Sequence, residues 1–407
     1  MKANPLLIQA EIYFARGNFT VATMLAQKAL EKDPAGLDAY TILAKIAQKQ
    51  GTKEQAARFY NLALWGEDKD VFTPPPTKGF LLIKAWSFGF WSDVEQIMAA
   101  LLFCELTGRI PVIHWGSNSY YNSDPSSNGF NLFFEPINAY ELKDLTRPDF
   151  SFYPPKWNHN NINQENNNKM AGDYSRMPLY SYWNSQEDVV VYDFFTQLWM
   201  LIPFISPEHW LYGDKISAIF RKIYSKYFKP REHITKNIED LYSNNLKGQP
   251  TIAIHIRNLD KSMETDHLRK AIPEMKQKAL GIINNNSNTK LFLLSDNQDV
   301  IKEFQNIIPD RLFVTSAQRT VDHKVLTFVE NINRENLGKE IITDTILATK
   351  CDEFIGHSSS NVAGFVSKLK DWPQDKLHLY GVDPQATPLY SLYGGDFEYL
   401  SNLEDCS

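Results

Sequence analysis

The sequence predicts two facing α/β domains behind a short run of paired helices. Three observations predict it. Small residues recur at a 34-residue step near the start, a strand–helix–strand pattern follows a proline-rich stretch, and a second, longer alternation of strands and helices fills the remainder. The bulk numbers agree, because 407 residues exceed one ordinary core and 43% hydrophobic content with 25 Phe, 19 Tyr and 9 Trp can bury more than one.

In the first segment Ala10, Tyr13, Gly17, Ala22, Ala26 and Ala29 answer Ala44, Ala47, Gly51, Ala56, Tyr60 and Ala63. Small side chains let paired helices approach closely, Gly17 turns the chain, and Pro34 starts the next unit. The pattern resembles tetratricopeptide repeats and covers residues 1–68. Two repeats cannot bury a solenoid's apolar face alone, so the pair is either a structural cap or a surface for a protein partner or self-association. Residues 66–77, with Pro74-Pro75-Pro76, read as a stiff linker.

The first α/β domain spans 78–245. Residues 79–86 form a buried strand, and Ser92 or Asp93 caps a helix with Val94, Ile97, Leu101, Leu102 and Leu106 at helical spacing. Gly108 stops that helix, and the strand 110–115 completes a right-handed βαβ unit. The asparagine-rich run 158–168 is too polar to pack and reads as an exposed loop bordering an acceptor cleft. The aromatic stretch 180–227 reads as helical and packed, with its topology open.

The second domain spans 246–407. Strands at 251–257, 290–295, 311–315, 353–356 and 376–380 alternate with helices to about 283, at 299–307, at 339–350 and at 361–369. In such sheets ligands lie beyond the carboxyl ends of the strands. Three polar clusters fall there. The first is His255-Ile-Arg257-Asn258-Leu-Asp260-Lys261-Ser-Met-Glu264, in which Arg257 suits bidentate binding of a diphosphate or an ion pair with Asp260 or Glu264. The second is Ser295-Asp296-Asn297. The third is Asp344 followed by Cys351-Asp352 and by Ser358-Ser359-Ser360-Asn361, whose hydroxyls and helix-start amides suit an anion.

Taken together, His-x-Arg-x-x-Asp-Lys with a following acidic residue, Ser-Asp, and Asp-x7-Asp with Ser-Ser-Asn resemble the fucosyltransferase superfamily, closest to its α1,6 type, over roughly residues 250–370. The resemblance implies a GT-B-like pair of Rossmann-type domains that uses GDP-fucose without a metal or other cofactor. It implies that His255 and Asp344 approach the guanine nucleoside, that Arg257, Ser359, Ser360 and Asn361 hold the diphosphate, with Asp296 and Ser358 beside them, and that Lys261 and Glu264 face the reacting centre. The chain departs from the family twice. Asn258 stands where a second Arg is usual, and Glu264 follows Lys261 one residue sooner than the family's acid does. Glu264 is the first choice of general base, with Asp266 and His267 as alternatives on the same loop.

On the acceptor side, Phe88, Gly89, Trp91 and His114 lie at strand ends of the first domain. Gly89 permits a close turn. Phe88, Phe90 and Trp91, like His114 and Trp115, either stack on a sugar or belong to the core.

Other functions are disfavoured by what the sequence contains. A net charge of -6 supplies no basic stripe for nucleic acid. Cys104, Cys351 and Cys406 have neither zinc-ligand spacing nor a disulfide framework, and a reducing, cytoplasmic setting fits them. The N-terminus has no signal-peptide pattern, and the apolar runs 97–104 and 198–203 fall short of the ~20 residues that cross a bilayer. GxSxG, GxxxxGK[ST] and HExxH do not occur, and the Asp68-Lys-Asp70 pair lies in the linker, away from any strand end that could hold a metal-bound diphosphate. The function expected is therefore inverting transfer of fucose from GDP-fucose to a hydroxyl of a glycan or protein. The alternatives are a different nucleotide sugar, or a non-catalytic scaffold that binds a nucleotide or glycan.

Overall fold

The computed structural model describes residues 4–34, 36–52, 55–56, 58–59, 62–63, 79–124, 126–164, 182–183, 185–192, 196, 198, 201–202, 205–257, 266–320 and 332–381. Three helices come first: α1 (Pro5–Ala15), α2 (Phe19–Lys32) and α3 (Leu37–Lys49). Asn4 and Asn18 cap the first two, their side chains accepting from Leu6 N (3.0 Å) and Val21 N (3.2 Å). The 34-residue step is visible in the backbone. Gly17 and Gly51 both hold a left-handed φ, 72° and 76°, and the amide after each donates five residues back, Asn18 to Tyr13 (2.9 Å) and Thr52 to Ala47 (3.0 Å). Ala10, Ala22, Ala26 and Ala29 are buried where these helices meet.

The first sheet consists of β1 (Phe80–Lys84), β2 (Ile110–His114), β3 (Phe152–Tyr153) and β4 (Val189–Tyr192) in the order β2-β1-β4-β3, all pairs parallel. β4 is a strand inside the stretch that reads as helical from sequence. Four consecutive apolar residues, buried throughout, suffice for a central parallel strand. Between β1 and β2 runs α4 (Phe90–Thr107), buried over nearly its whole circumference and ended by Gly108 with φ 71°. It starts earlier than Ser92 or Asp93. Gly89 is its N-cap residue, and Asp93, fully buried, instead accepts from the amide of Phe88 at 3.3 Å.

Part of the asparagine-rich run packs as well: Ile162 is buried against the outer face of this sheet, and Gln164 O accepts from Lys84 Nζ at 2.6 Å. α5 (Ile216–Tyr227) and α6 (Glu232–Asn245) follow.

The second sheet is made of β5 (Thr251–His255), β6 (Lys290–Leu294), β7 (Leu312–Phe313), β8 (Glu353–His357) and β9 (Leu377–Tyr380) in the order β7-β6-β5-β8-β9, again all parallel. The helices of this unit are α7 (Asp266–Asn285), α8 (Gln298–Ile307), α9 (Arg334–Thr349) and α10 (Asn361–Leu369).

One apolar cluster joins the two units. It runs from Leu81 and Ile83 through α4, α5 and α6 to α9, α10 and the near face of β5 and β6. At its centre the Trp91 ring stacks on Phe365 with centroids 4.2 Å apart, and Trp91 Nε1 donates to Thr345 Oγ1 at 2.8 Å. One helical turn later Glu95 pairs with Lys368 at 3.3 Å, both side chains largely buried.

Candidate functional site

Strand order locates the site. From β5 the chain moves to β6 and β7 on one side, then crosses to β8 and β9 on the other, so the topological switch point lies between β5 and β8. In open α/β sheets ligands bind beyond the carboxyl ends of the strands at such a point. The register pairs Ile254 with Ile355, which brings the ends of these strands side by side.

At the end of β5, His255 is buried and Arg257 partly buried. Burial, with help from Arg257 and His357, pushes the His255 imidazole down to about 3, so the ring is neutral through the physiological range. Its Nδ1 is buried with no hydrogen-bond partner. At the end of β8, Ser359 donates to His357 Nδ1 from its backbone amide (3.2 Å) and pairs with the same atom through its hydroxyl (2.7 Å). The amide contact makes that nitrogen the acceptor.

Ser360 is the N-cap residue of α10, yet its side chain makes no capping bond, and its Oγ is buried without a partner. Asn361 opens the helix and is exposed. Ser358 is exposed, and its amide donates to Tyr380 O at 2.9 Å.

At the end of β6, Asn297 caps α8 by accepting from Asp299 N at 2.7 Å, and Asp296 O accepts from Thr320 N at 3.0 Å. Asp344 lies on α9, where burial pushes its carboxyl up to about 7. The Thr315 hydroxyl, donating to Oδ1 at 2.7 Å, and the Arg319 charge pull it down, while Glu340 pushes it up. Thr315, Gln318, Arg319 and Glu340 escaped the sequence reading. The available signal was the four-residue step from Glu340 to Asp344, which sets two carboxylates on one helix face.

Arg257 also reaches the first unit electrostatically. Burial pushes the Tyr121 phenol up, Asp93 adds to that and Arg257 opposes it, so the end of β5 and the start of α4 lie within range of one another. Asn258, Asp260, Lys261 and Glu264 fall outside the described residues, while Asp266 and His267 open α7.

No protein-family model matches the chain, and no curated protein matches it in sequence. Solved structures that it resembles include fucosyltransferases. NodZ from Bradyrhizobium is 19% identical, with 71% of this chain and 93% of that one covered and a TM-score of 0.47. POFUT1 in complex with GDP is 15% identical, with coverage of 76% and 100% and a TM-score of 0.44. FUT1 of Arabidopsis thaliana, a mutant in complex with GDP, is 12% identical, with coverage of 83% and 80% and a TM-score of 0.48. These likenesses, all below a TM-score of 0.5, carry nothing about the chemistry of this chain.

The acceptor-side residues divide. Phe88 and Gly89 lie on the loop that leaves β1 beside its own switch point, between β1 and β4. Phe88 is half-buried and Gly89 exposed. The left-handed residue of that turn is Ser87, with φ 63°, and its hydroxyl donates to Asn118 O; Gly89 has an ordinary φ of -60°. Trp91 is a correction. At 1% exposure, stacked on Phe365 and bonded to Thr345, it offers no face to a sugar. Phe90 and Trp115 are likewise core. His114 is partly buried, and burial with the nearby Lys84 charge pushes it down to about 4.

A surface groove by α5, lined by Trp210, Arg221, Lys222, Ser225 and Lys226, is set apart from these strand ends. Its cations face Asp371, Asp214 and Glu105, so it supplies little net charge for an anion. Among the described residues no His, Cys, Asp and Glu side chains group as a metal site, and no helix is long and apolar enough to cross a membrane.

Proposed function

We propose that the chain is a glycosyltransferase that holds a nucleoside-diphosphate sugar across the β5–β8 switch point, with GDP-fucose as donor. The observation that carries this reading is the pair of buried, unpartnered polar atoms there, His255 Nδ1, which lies within range of the Arg257 charge, and Ser360 Oγ at the start of α10. A buried polar atom without a partner costs roughly 1–3 kcal/mol. A phosphate or ribose oxygen supplies what Ser360 and the helix amides lack, and a nucleoside N–H or O–H supplies what a neutral His255 nitrogen lacks. The motif resemblance to fucosyltransferases supports guanine and fucose over other donors.

The reaction is a direct displacement. The acceptor oxygen attacks the anomeric carbon as its proton passes to the general base, for which Glu264 is proposed. The bond from that carbon to the phosphate oxygen breaks, and the electron pair leaves with the nucleoside diphosphate. Arg257, Ser359, Ser360 and the start of α10 stabilise the departing charge, a role at the same centre is assigned to Lys261 from the motif resemblance, and configuration inverts. Acceptor contact is assigned to Phe88, Gly89 and His114.

Thermal unfolding with GDP, UDP, ADP and dTDP tests the donor. A ligand at about 100 times its dissociation constant stabilises the native state by about 2.7 kcal/mol, and selective stabilisation by GDP is expected. Arg257→Ala is expected to abolish transfer and Glu264→Gln to abolish slow hydrolysis of the donor, with unfolding temperatures near that of the wild type. Equal stabilisation by all four nucleotides, or near-normal transfer by Arg257→Ala, would overturn the reading.

A further inference from the structure

Residues 315–320 form a strap across the carboxyl ends of β6 and β7. At one end Thr320 N donates to Asp296 O and Gln298 N to Thr320 O, both at 3.0 Å. At the other the strap is fastened to one face of α9: Thr315 Oγ1 donates to Asp344 Oδ1 (2.7 Å), and Gln318 donates from its backbone amide to Glu340 Oε2 (2.9 Å). Arg319 folds back along the strap, its guanidinium donating to Thr315 O (2.8 Å) and Ala317 O (2.6 Å). Thr315 is thus held from both sides, its carbonyl by Arg319 and its hydroxyl by Asp344. Among the described residues Asp344 has no hydrogen-bond partner other than Thr315, which leaves Oδ2 available to a ligand.

We infer that Arg319 is a positioning residue for donor recognition: it shapes the strap so that Thr315 orients Asp344, and its charge keeps that side chain an acceptor for a base with N–H donors, such as guanine. This rests on the reading that places the nucleoside at Asp344. Among the described residues the charged groups acting on Asp344 are Arg319, which favours the carboxylate, and Glu340, which opposes it. Burial leaves the balance near neutrality, at about 7, so removing Arg319 moves the midpoint up. Base recognition needs the ionised form. Affinity is therefore full well above the midpoint and falls as the pH drops through it, about tenfold for each unit that the midpoint rises.

The test combines two measurements on the full chain. Carboxyl 13C titration, with Asp344→Asn assigning the signal, reads the midpoint directly, and GDP affinity is followed from pH 5.5 to 9 as an approximate range bracketing that midpoint. In Arg319→Gln the midpoint is expected to rise and the acid limb of GDP binding to rise with it, while affinity at the alkaline end, where Asp344 is ionised in both proteins, falls by less than on the acid limb and reads the loss of the strap contacts to Thr315 and Ala317. Arg319→Lys keeps the charge and is expected to return both toward wild type. An unmoved midpoint in Arg319→Gln overturns the inference, as does an Arg319→Lys variant that titrates like Arg319→Gln. Wild-type protein that binds no GDP at any pH overturns the donor reading and the recognition half of this inference, while the titration still decides whether Arg319 controls Asp344.

Discussion

His255 and Ser360 carry polar atoms that the fold buries and leaves unpaired. Such atoms lower the stability of the empty protein and favour any ligand that completes them. Ser360→Ala is accordingly expected to leave the unfolding temperature of the ligand-free chain unchanged or slightly higher, and to reduce GDP stabilisation by about 1 kcal/mol. A variant that loses stability without ligand while binding GDP normally would assign Ser360 a structural role. Because burial holds His255 near 3, it stays neutral from pH 5 upward and contributes no titration to binding. His255→Gln is expected to weaken GDP binding without moving the midpoint of its pH dependence. His255, Arg257 and Ser360 were legible because each ends a strand or opens a helix in a continuous sequence pattern. Thr315 and Arg319 were not, since their proposed role depends on a strap that meets a helix face 22 to 29 residues further along the chain.

Elements with a strong local pattern follow the sequence closely, as at β5, where five buried residues leave one compact apolar run. β4 was hidden because four apolar residues among many aromatics fit a buried strand and a buried helix equally well. The start of α4 was misplaced for a related reason. Asp93 has the chemistry of a cap but is drawn inside the helix, where it takes the amide of Phe88. α4 and α5 are tied together at Glu105, which accepts from Tyr227 Oη, Trp210 Nε1 (2.6 Å) and Lys226 Nζ (2.9 Å) and lies 3.0 Å from His209 Nε2. Burial alone would raise this carboxyl, but the hydrogen bonds outweigh it and hold it below the usual range. Its stabilising contribution is full above the ordinary carboxylate range and is lost as the pH falls toward the lowered value. Glu105→Gln is expected to cost about 2 kcal/mol at pH 7 in denaturant unfolding, with a smaller difference from wild type at pH about 3. A constant difference across that range would show that charge is not what Glu105 contributes.

Across the whole molecule, the two α/β units share one apolar cluster. Trp91 is central to it, so Trp91→Ala is expected to cost roughly 3–5 kcal/mol and Trp91→Phe, which keeps the ring on Phe365 but loses the bond to Thr345, about 1 kcal/mol. Wild-type unfolding is expected to follow one transition by tryptophan fluorescence and by circular dichroism alike. Two separated transitions would mean that the shared cluster does not couple the units. The alternation of strands and helices announced two sheets in the sequence, but not that helices of one would pack into the other, because the partner of a fully buried helix leaves no periodic trace in its own residues.

The same contacts bear on how far the halves can be exchanged. Trp91 and Glu95 come from the half proposed to meet the acceptor, whereas Thr345, Phe365 and Lys368 come from the half proposed to grip the donor, on the very helices that carry Asp344 and begin at Ser360. A chimera that grafts a foreign acceptor half here must therefore bring an aromatic and an acid at those two positions, or it will lose both the stack on Phe365 and the ion pair with Lys368.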